Sequence, residues 1–228
     1  MSHKEEHFSG SDFLKDVSIG MADGLTVPFA LAAGLSGATT STALIVTAGI
    51  AEIVAGSIAM GLGGYLAGKT EYDHYFSEKN REREEVEIVP EKEREEVMEI
   101  LGEYGLSVQS QVVVVTELEK NKDKWVDFMM KFELGLEEPH LNAARKSAIT
   151  IALSYVAGGF IPLAPYFFTT SSEEGLYLSA AITMVALFIF GFFKSKVTRQ
   201  PAWGGAFKTM FIGALAAGAA FLIAKWIS

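Results

Sequence analysis

Two Glu-x-x-Glu pairs, Glu82/Glu85 and Glu93/Glu96, stand on either side of Pro90. At i, i+3 spacing each pair shares one helix face. A break at Pro90 can fold the two helices so that four carboxylates meet. Met129 and Glu133, one turn apart on a later segment, can add a thioether and another carboxylate. Carboxylates gathered in one place repel and need cations to stay ionised. Oxygen ligands alone suit Mg²⁺, Ca²⁺ or Mn²⁺, and thioethers shift preference toward Fe²⁺ or Co²⁺. A run such as Arg81–Glu87 is also an ordinary solvated helix face, so metal binding by these residues is one of two open readings.

A second set lies in apolar sequence: Asp23, Glu52 and Met60. Ionisable residues inside a membrane span are costly and mark transport pathways by default. With a helical hairpin turning near residues 39–40, Asp23 and Met60 fall within roughly 6 Å of the same depth, and Glu52 lies about 12 Å deeper. A carboxylate must be deprotonated to meet a cation, so binding releases a proton. A structural hydrogen bond is the competing role for both acids, and simple packing is the competing role for Met60.

The elements that must position these residues follow from charge and hydropathy. The chain has 228 residues, half of them hydrophobic, with a net charge of −9 and no cysteine. Residues 19–68 carry only Asp23 and Glu52 as charges, and residues 147–193 only Glu173 and Glu174. A spanning helix needs roughly 20 mostly apolar residues. Five windows qualify: 17–38, 41–68, 146–168, 175–194 and 205–226. The reading is an all-α protein with five transmembrane helices and a helical insert between helices two and three. Its parts are a polar N-terminal arm (1–16), helices one and two (17–68), the insert (69–145), and helices three to five (146–228). Lys194, Lys196 and Arg199 mark the connection between helices four and five as cytosolic. The same rule puts the N-terminus and insert in the cytosol and the C-terminus on the other side. The polar arm has no apolar core, so no cleavable signal peptide is expected.

Helix two is expected to run on to Pro90, with Glu71, Glu78, Glu82 and Glu85 on one face and Lys79, Arg81 and Arg83 off it. A helix over 91–104 carries Val97, Ile100, Leu101 and Tyr104 as an apolar stripe, and Glu93 lies about 30° from the centre of that stripe. The valine run Val112–Val115 has strand propensity, but Val108, Val112, Val115 and Leu118 also fit helical spacing, and helix is preferred. A last helix, 122–134, carries Trp125, Phe128, Met129 and Phe132. Small-residue pairs Gly20/Gly24 and Gly64/Gly68 allow close helix contact, as generic packing or as a dimer face.

Other classes fare poorly. No basic run interleaved with aromatics suggests nucleic-acid binding. The four histidines lack catalytic neighbours, and there is no phosphate loop or nucleophile elbow, so an enzyme is not expected.

The run Ser18-Ile-Gly-Met-Ala-Asp23-Gly-Leu-Thr-Val-Pro28-Phe resembles the first-helix signature of the vacuolar iron transporters of plants and yeast. So does Ala51-Glu52-Ile-Val-Ala-Gly-Ser-Ile-Ala-Met60-Gly-Leu-Gly-Gly-Tyr65 in the second helix. Phe128-Met-Met-Lys-Phe-Glu133-Leu-Gly and Gly158-Gly-Phe-Ile-Pro162-Leu-Ala-Pro165-Tyr also fit. The resemblance spans nearly the whole chain. It implies a homodimer of five-helix subunits in the vacuolar membrane that moves Fe²⁺ into the vacuole in exchange for H⁺. It implies translocation through Asp23, Glu52 and Met60, and cytosolic metal ligands at Glu82, Glu85, Glu93, Glu96, Met129 and Glu133. No other cofactor is expected; Mn²⁺, Co²⁺, Zn²⁺ and Ni²⁺ stay open as cargo. A broad divalent exporter and a membrane-anchored metal sensor or buffer are the alternatives.

Overall fold

The computed structural model describes residues 10–227. The first nine residues of the polar arm, with His3 and His7, lie outside the described residues. The described residues form α1 (Gly10–Ala38), α2 (Thr42–Ile88), α3 (Pro90–Glu103), α4 (Val108–Leu118), α5 (Lys122–Phe132), α6 (Leu141–Leu163), a short 3-10 helix (Ala164–Phe167), α7 (Ser172–Val197) and α8 (Ala202–Ile227). Among the described residues there is no strand. Five helices are long and apolar enough to cross a membrane: α1, α2, α6 with its 3-10 extension, α7 and α8.

Contacts divide the chain into two compact units, one of residues up to Tyr65 and from Arg145 onward, the other Leu66–Ala144. α2 contributes to both. Its 47 residues make a helix about 70 Å long, more than twice the roughly 30 Å hydrocarbon thickness of a bilayer.

In the first unit, helices meet where side chains are small. A Cβ on Gly20 would lie 2.3 Å from the Ile151 carbonyl oxygen, and one on Gly24 would lie 2.4 Å from that of Tyr155. Gly158 returns the contact, its Cβ position being 3.0 Å from Leu25 N. α1 and α6 therefore touch backbone to backbone, which side chains would prevent. On α2, Gly64 makes room for the Ile151 side chain of α6, whose Cδ1 would lie 2.7 Å from a Cβ there. These glycines of the small-residue pairs pack against α6 of the same chain. Phe29, Ala33 and Ala217 form a core between α1 and α8, with Leu176 and Met184 of α7 packed on it. Ser179 donates to the Pro162 carbonyl at 2.7 Å, and Ser36 and Tyr166 share a hydrogen bond of 2.9 Å. These bonds satisfy polar groups in the interior of the unit, where water is scarce. Many large apolar side chains, such as Ile58, Leu62, Leu153, Val185, Phe211 and Leu222, point outward, as a lipid-facing surface requires.

The second unit has an apolar core of its own. Tyr75 and Val86 of α2 pack with Val97 and Leu101 of α3, Val115 of α4, and Trp125, Val126, Met129 and Met130 of α5. Pro90 sits at the first position of α3, where its missing N–H costs nothing. Ser107 caps α4 through Ser110 N, and Asn121 caps α5 through Lys124 N at 3.2 Å. Gly105 and Gly135 take positive φ values of 82° and 64° after α3 and α5; a left-handed residue there ends a helix without a Cβ penalty. The valine run is helical because Val115 and Gln111 turn inward from α4 while Ser107 caps its start.

Candidate functional site

The second unit gathers five of the predicted carboxylates. Glu82, Glu85 and Glu93 form one triad and Glu93, Glu96 and Glu133 a second, each with oxygens within 4.8 Å of one another. Glu93 belongs to both. α2 supplies Glu82 and Glu85, α3 supplies Glu93 and Glu96, and Glu133 caps the end of α5. A single residue, Val89, separates α2 from α3, so the break at Pro90 is what turns one Glu-x-x-Glu pair toward the other. Met129, one turn before Glu133, is fully buried in the apolar core.

Burial decides the electrostatics. Glu82 is 1% exposed and Glu93 fully buried. One oxygen of Glu82 and both of Glu93 have no hydrogen-bond partner. A buried, unsatisfied carboxylate is costly when ionised. Burial pushes the Glu93 carboxyl up to about 7, and Glu96, Glu82, Glu85 and Glu133 add like-charge repulsion. Burial also raises Glu82, opposed by a hydrogen bond from Arg81. Burial raises Glu133 too, reinforced by Glu82 and Glu96. A divalent cation would relieve both the repulsion and the unmet oxygens. The donor set therefore fits a hard or borderline dication.

Sequence reasoning put Arg81 off the acidic face. The structure places its guanidinium back on that face: it contacts Glu78 at 2.9 Å, Glu82 at 3.3 Å and Glu85 at 3.8 Å. An arginine stem is long enough to wrap around its own helix, which a wheel of Cα positions does not capture.

In the first unit, Glu52 lies on α2 and accepts a hydrogen bond at Oε1 from the Tyr155 hydroxyl of α6. Its Oε2 is buried without a partner. Gly56, one turn on, makes room: a Cβ there would stand 2.4 Å from the Tyr155 hydroxyl. The backbone of Tyr155 also packs on Gly24, the neighbour of Asp23. Asp23 and Met60 are both half-buried. Asp23 sits beside the α1–α6 crossing, and Met60 one turn beyond Gly56.

Two further residues here escaped the sequence reading. Tyr155 could have been suspected, because a tyrosine in an apolar span needs a partner for its hydroxyl. Asp16, grouped with the polar arm, belongs to α1; it is buried and accepts a hydrogen bond of 2.8 Å from Ser147 of α6. Its seven-residue spacing from Asp23 puts both acids on one face of α1.

The sequence model of the VIT family matches residues 14–225. The chain belongs to this family. It is 53% identical to Vacuolar iron transporter 1 of Arabidopsis thaliana, over 98% of this chain and 89% of that protein. It is 54% identical to the Vacuolar iron transporter of Centaurea cyanus, over 98% and 91% of the two chains. It is 37% identical to Protein CCC1 of Saccharomyces cerevisiae, over 93% and 68%.

Proposed function

We propose that this protein moves Fe²⁺ from the cytosol into the vacuole in exchange for H⁺, as a homodimer in the vacuolar membrane, and so supplies iron storage. The observation that carries the reading is Glu93, fully buried and shared between two carboxylate triads, in a chain whose near relatives are named vacuolar iron transporters.

The insert, facing the cytosol, collects the ion. Glu82, Glu85, Glu93, Glu96 and Glu133 supply oxygens, and Met129 supplies a thioether. Asp23 and Met60 then pass the ion inward, and Glu52 exchanges it for a proton on the vacuolar side. The orientation follows from Lys194, Lys196 and Arg199 between α7 and α8. Protons bound by the carboxylates in the absence of metal are released when the ion binds.

Liposomes with an acidic interior should take up Fe²⁺ and lose their proton gradient, and Asp23→Ala should stop both. Uptake indifferent to the gradient would remove the exchange mechanism. A second reading, a broader divalent exporter, draws on the all-carboxylate triads, which suit Mn²⁺ as well as Fe²⁺. Co²⁺, Zn²⁺ and Ni²⁺ belong in the same competition assay.

A further inference from the structure

Each carboxylate triad carries a cation tethered to the protein. Arg81 reaches Glu82 and Glu85 of the first triad, and Glu78 beside it, at 3.3, 3.8 and 2.9 Å. Lys92 reaches Glu96 of the second at 2.7 Å. The shared Glu93 has neither, and both its oxygens lack a partner.

The acids and the cations differ in depth. Glu82 is 1% exposed, whereas the Arg81 side chain is 51% exposed and that of Lys92 63%. Glu82 and Glu93 form the floor, Glu85 and Glu96 lie partly exposed at 36% and 26%, and the two cations stand at the rim. A guanidinium has five donors and no acceptor, so Arg81 cannot ligate a metal. It can only occupy the same oxygens. Beside a bound dication it would be a like charge a few ångströms away, and its half-exposed stem gives it a way out to water.

Two roles are conceivable for such a group. It could hold the acids in place for the ion, in which case its loss weakens binding. Or it could compete with the ion, in which case its loss tightens binding. Its partners favour competition, because all three are carboxylates and two of them are members of the triad. We infer that Arg81 is a displaceable counter-cation that stands in for the divalent ion on Glu82 and Glu85, weakening the first triad's grip and speeding release. This rests on the metal-collecting reading above. Lys92 plays the lesser part, with one carboxylate partner among the triads and a monodentate head group.

The test uses the full-length protein in detergent, titrated with Mn²⁺ by calorimetry, with release followed after addition of excess chelator. Arg81→Gln and Arg81→Met should bind Mn²⁺ about three- to tenfold more tightly, after allowance for solvent screening of a half-exposed charge. Both should release it more slowly by a similar factor. Arg81→Lys, which keeps the charge on a monodentate head group, should tighten binding less than either neutral variant. Arg83→Gln is the control for net charge: Arg83 lies two residues away on α2 but pairs with Asp123 at 3.3 Å, and its loss should leave affinity unchanged. A folded Arg81→Gln and Arg81→Met with equal or weaker affinity would overturn the inference, as would Arg83→Gln tightening binding to the same extent. A folded wild type that binds no Mn²⁺ would overturn the collecting reading and this inference together.

Discussion

Tyr155 of α6 donates its hydroxyl to Glu52 of α2, and Gly56 of α2 leaves the space in which that hydroxyl stands. The acid inside the apolar region is therefore held by one hydrogen bond from a neighbouring helix, with its other oxygen unmet.

Tyr155→Phe removes that bond without opening a cavity. A buried acceptor left unsatisfied costs about 1–3 kcal/mol. The variant should fold with a lowered melting temperature and transport Fe²⁺ several-fold more slowly in liposomes. Uptake at the wild-type rate would show that the hydroxyl holds nothing the transport step needs.

The backbone contact of α1 with α6 predicts a sharp contrast among glycines. Gly24→Ala places a methyl group 2.4 Å from a carbonyl oxygen. Overpacking of this kind costs about 1–3 kcal/mol or more. Gly63→Ala meets nothing within 4 Å and should be neutral or slightly stabilising, since alanine is the better helix former. Thermal unfolding in one detergent compares the two, and equal melting temperatures would refute the packing account.

Glu93→Gln should separate stability from binding. The amide keeps the shape but not the charge. In the absence of metal it should raise the melting temperature above pH 7, because it removes the repulsion of four neighbouring glutamates on a buried carboxylate. It should also weaken Mn²⁺ binding by tenfold or more, since both triads lose their shared ligand. If the variant melted at a lower temperature than wild type at pH 8, Glu93 would be holding the fold together rather than straining it.

The pH dependence of the metal-free protein follows from the same residue. The carboxyl of Glu93 is raised from an ordinary 4.5 to about 7 in the folded state, chiefly by burial. Between those values the folded chain holds a proton that the unfolded chain has lost. Stability is then fully present below pH 4.5 and falls as pH rises through 7, by on the order of 3 kcal/mol for this group. Glu82 and Glu133 shift the same way. Denaturant unfolding without metal should show the loss between pH 5 and about 8, and Mn²⁺ should reverse it. Mn²⁺ affinity itself should rise over that range, with protons released on binding.

How much was legible in the sequence depended on the physical signal. Long apolar windows and a proline between two acidic helices are strong patterns, and α2, α3 and α5 follow them within a few residues, whereas α1 begins seven residues earlier than its apolar window and takes in Asp16. Glu93 could be placed near the core because its angle on the α3 stripe is a property of spacing alone. Val112–Val115 pulled two ways, because β-branched propensity is local while the burial of Val115 against α3 and α5 is not. Tyr155 and Asp16 were missed for a shared reason. Their partners, Glu52 and Ser147, lie far away along the chain, and no periodicity within one helix reports a neighbour on another. Arg81 was misplaced because its position was read from Cα angles and its reach was not.

The single-residue joint at Val89 has a further consequence for biogenesis. Glu82, Glu85 and Glu93 come from adjacent stretches of chain, so the ring closed to unite them is short and its entropic toll small. Glu133 arrives about forty residues later. As the polypeptide emerges from the ribosome, one of the two acidic clusters can form while the other still waits for its third member. Ions in the surrounding fluid could therefore steady a half-made insert before α5 has been synthesised.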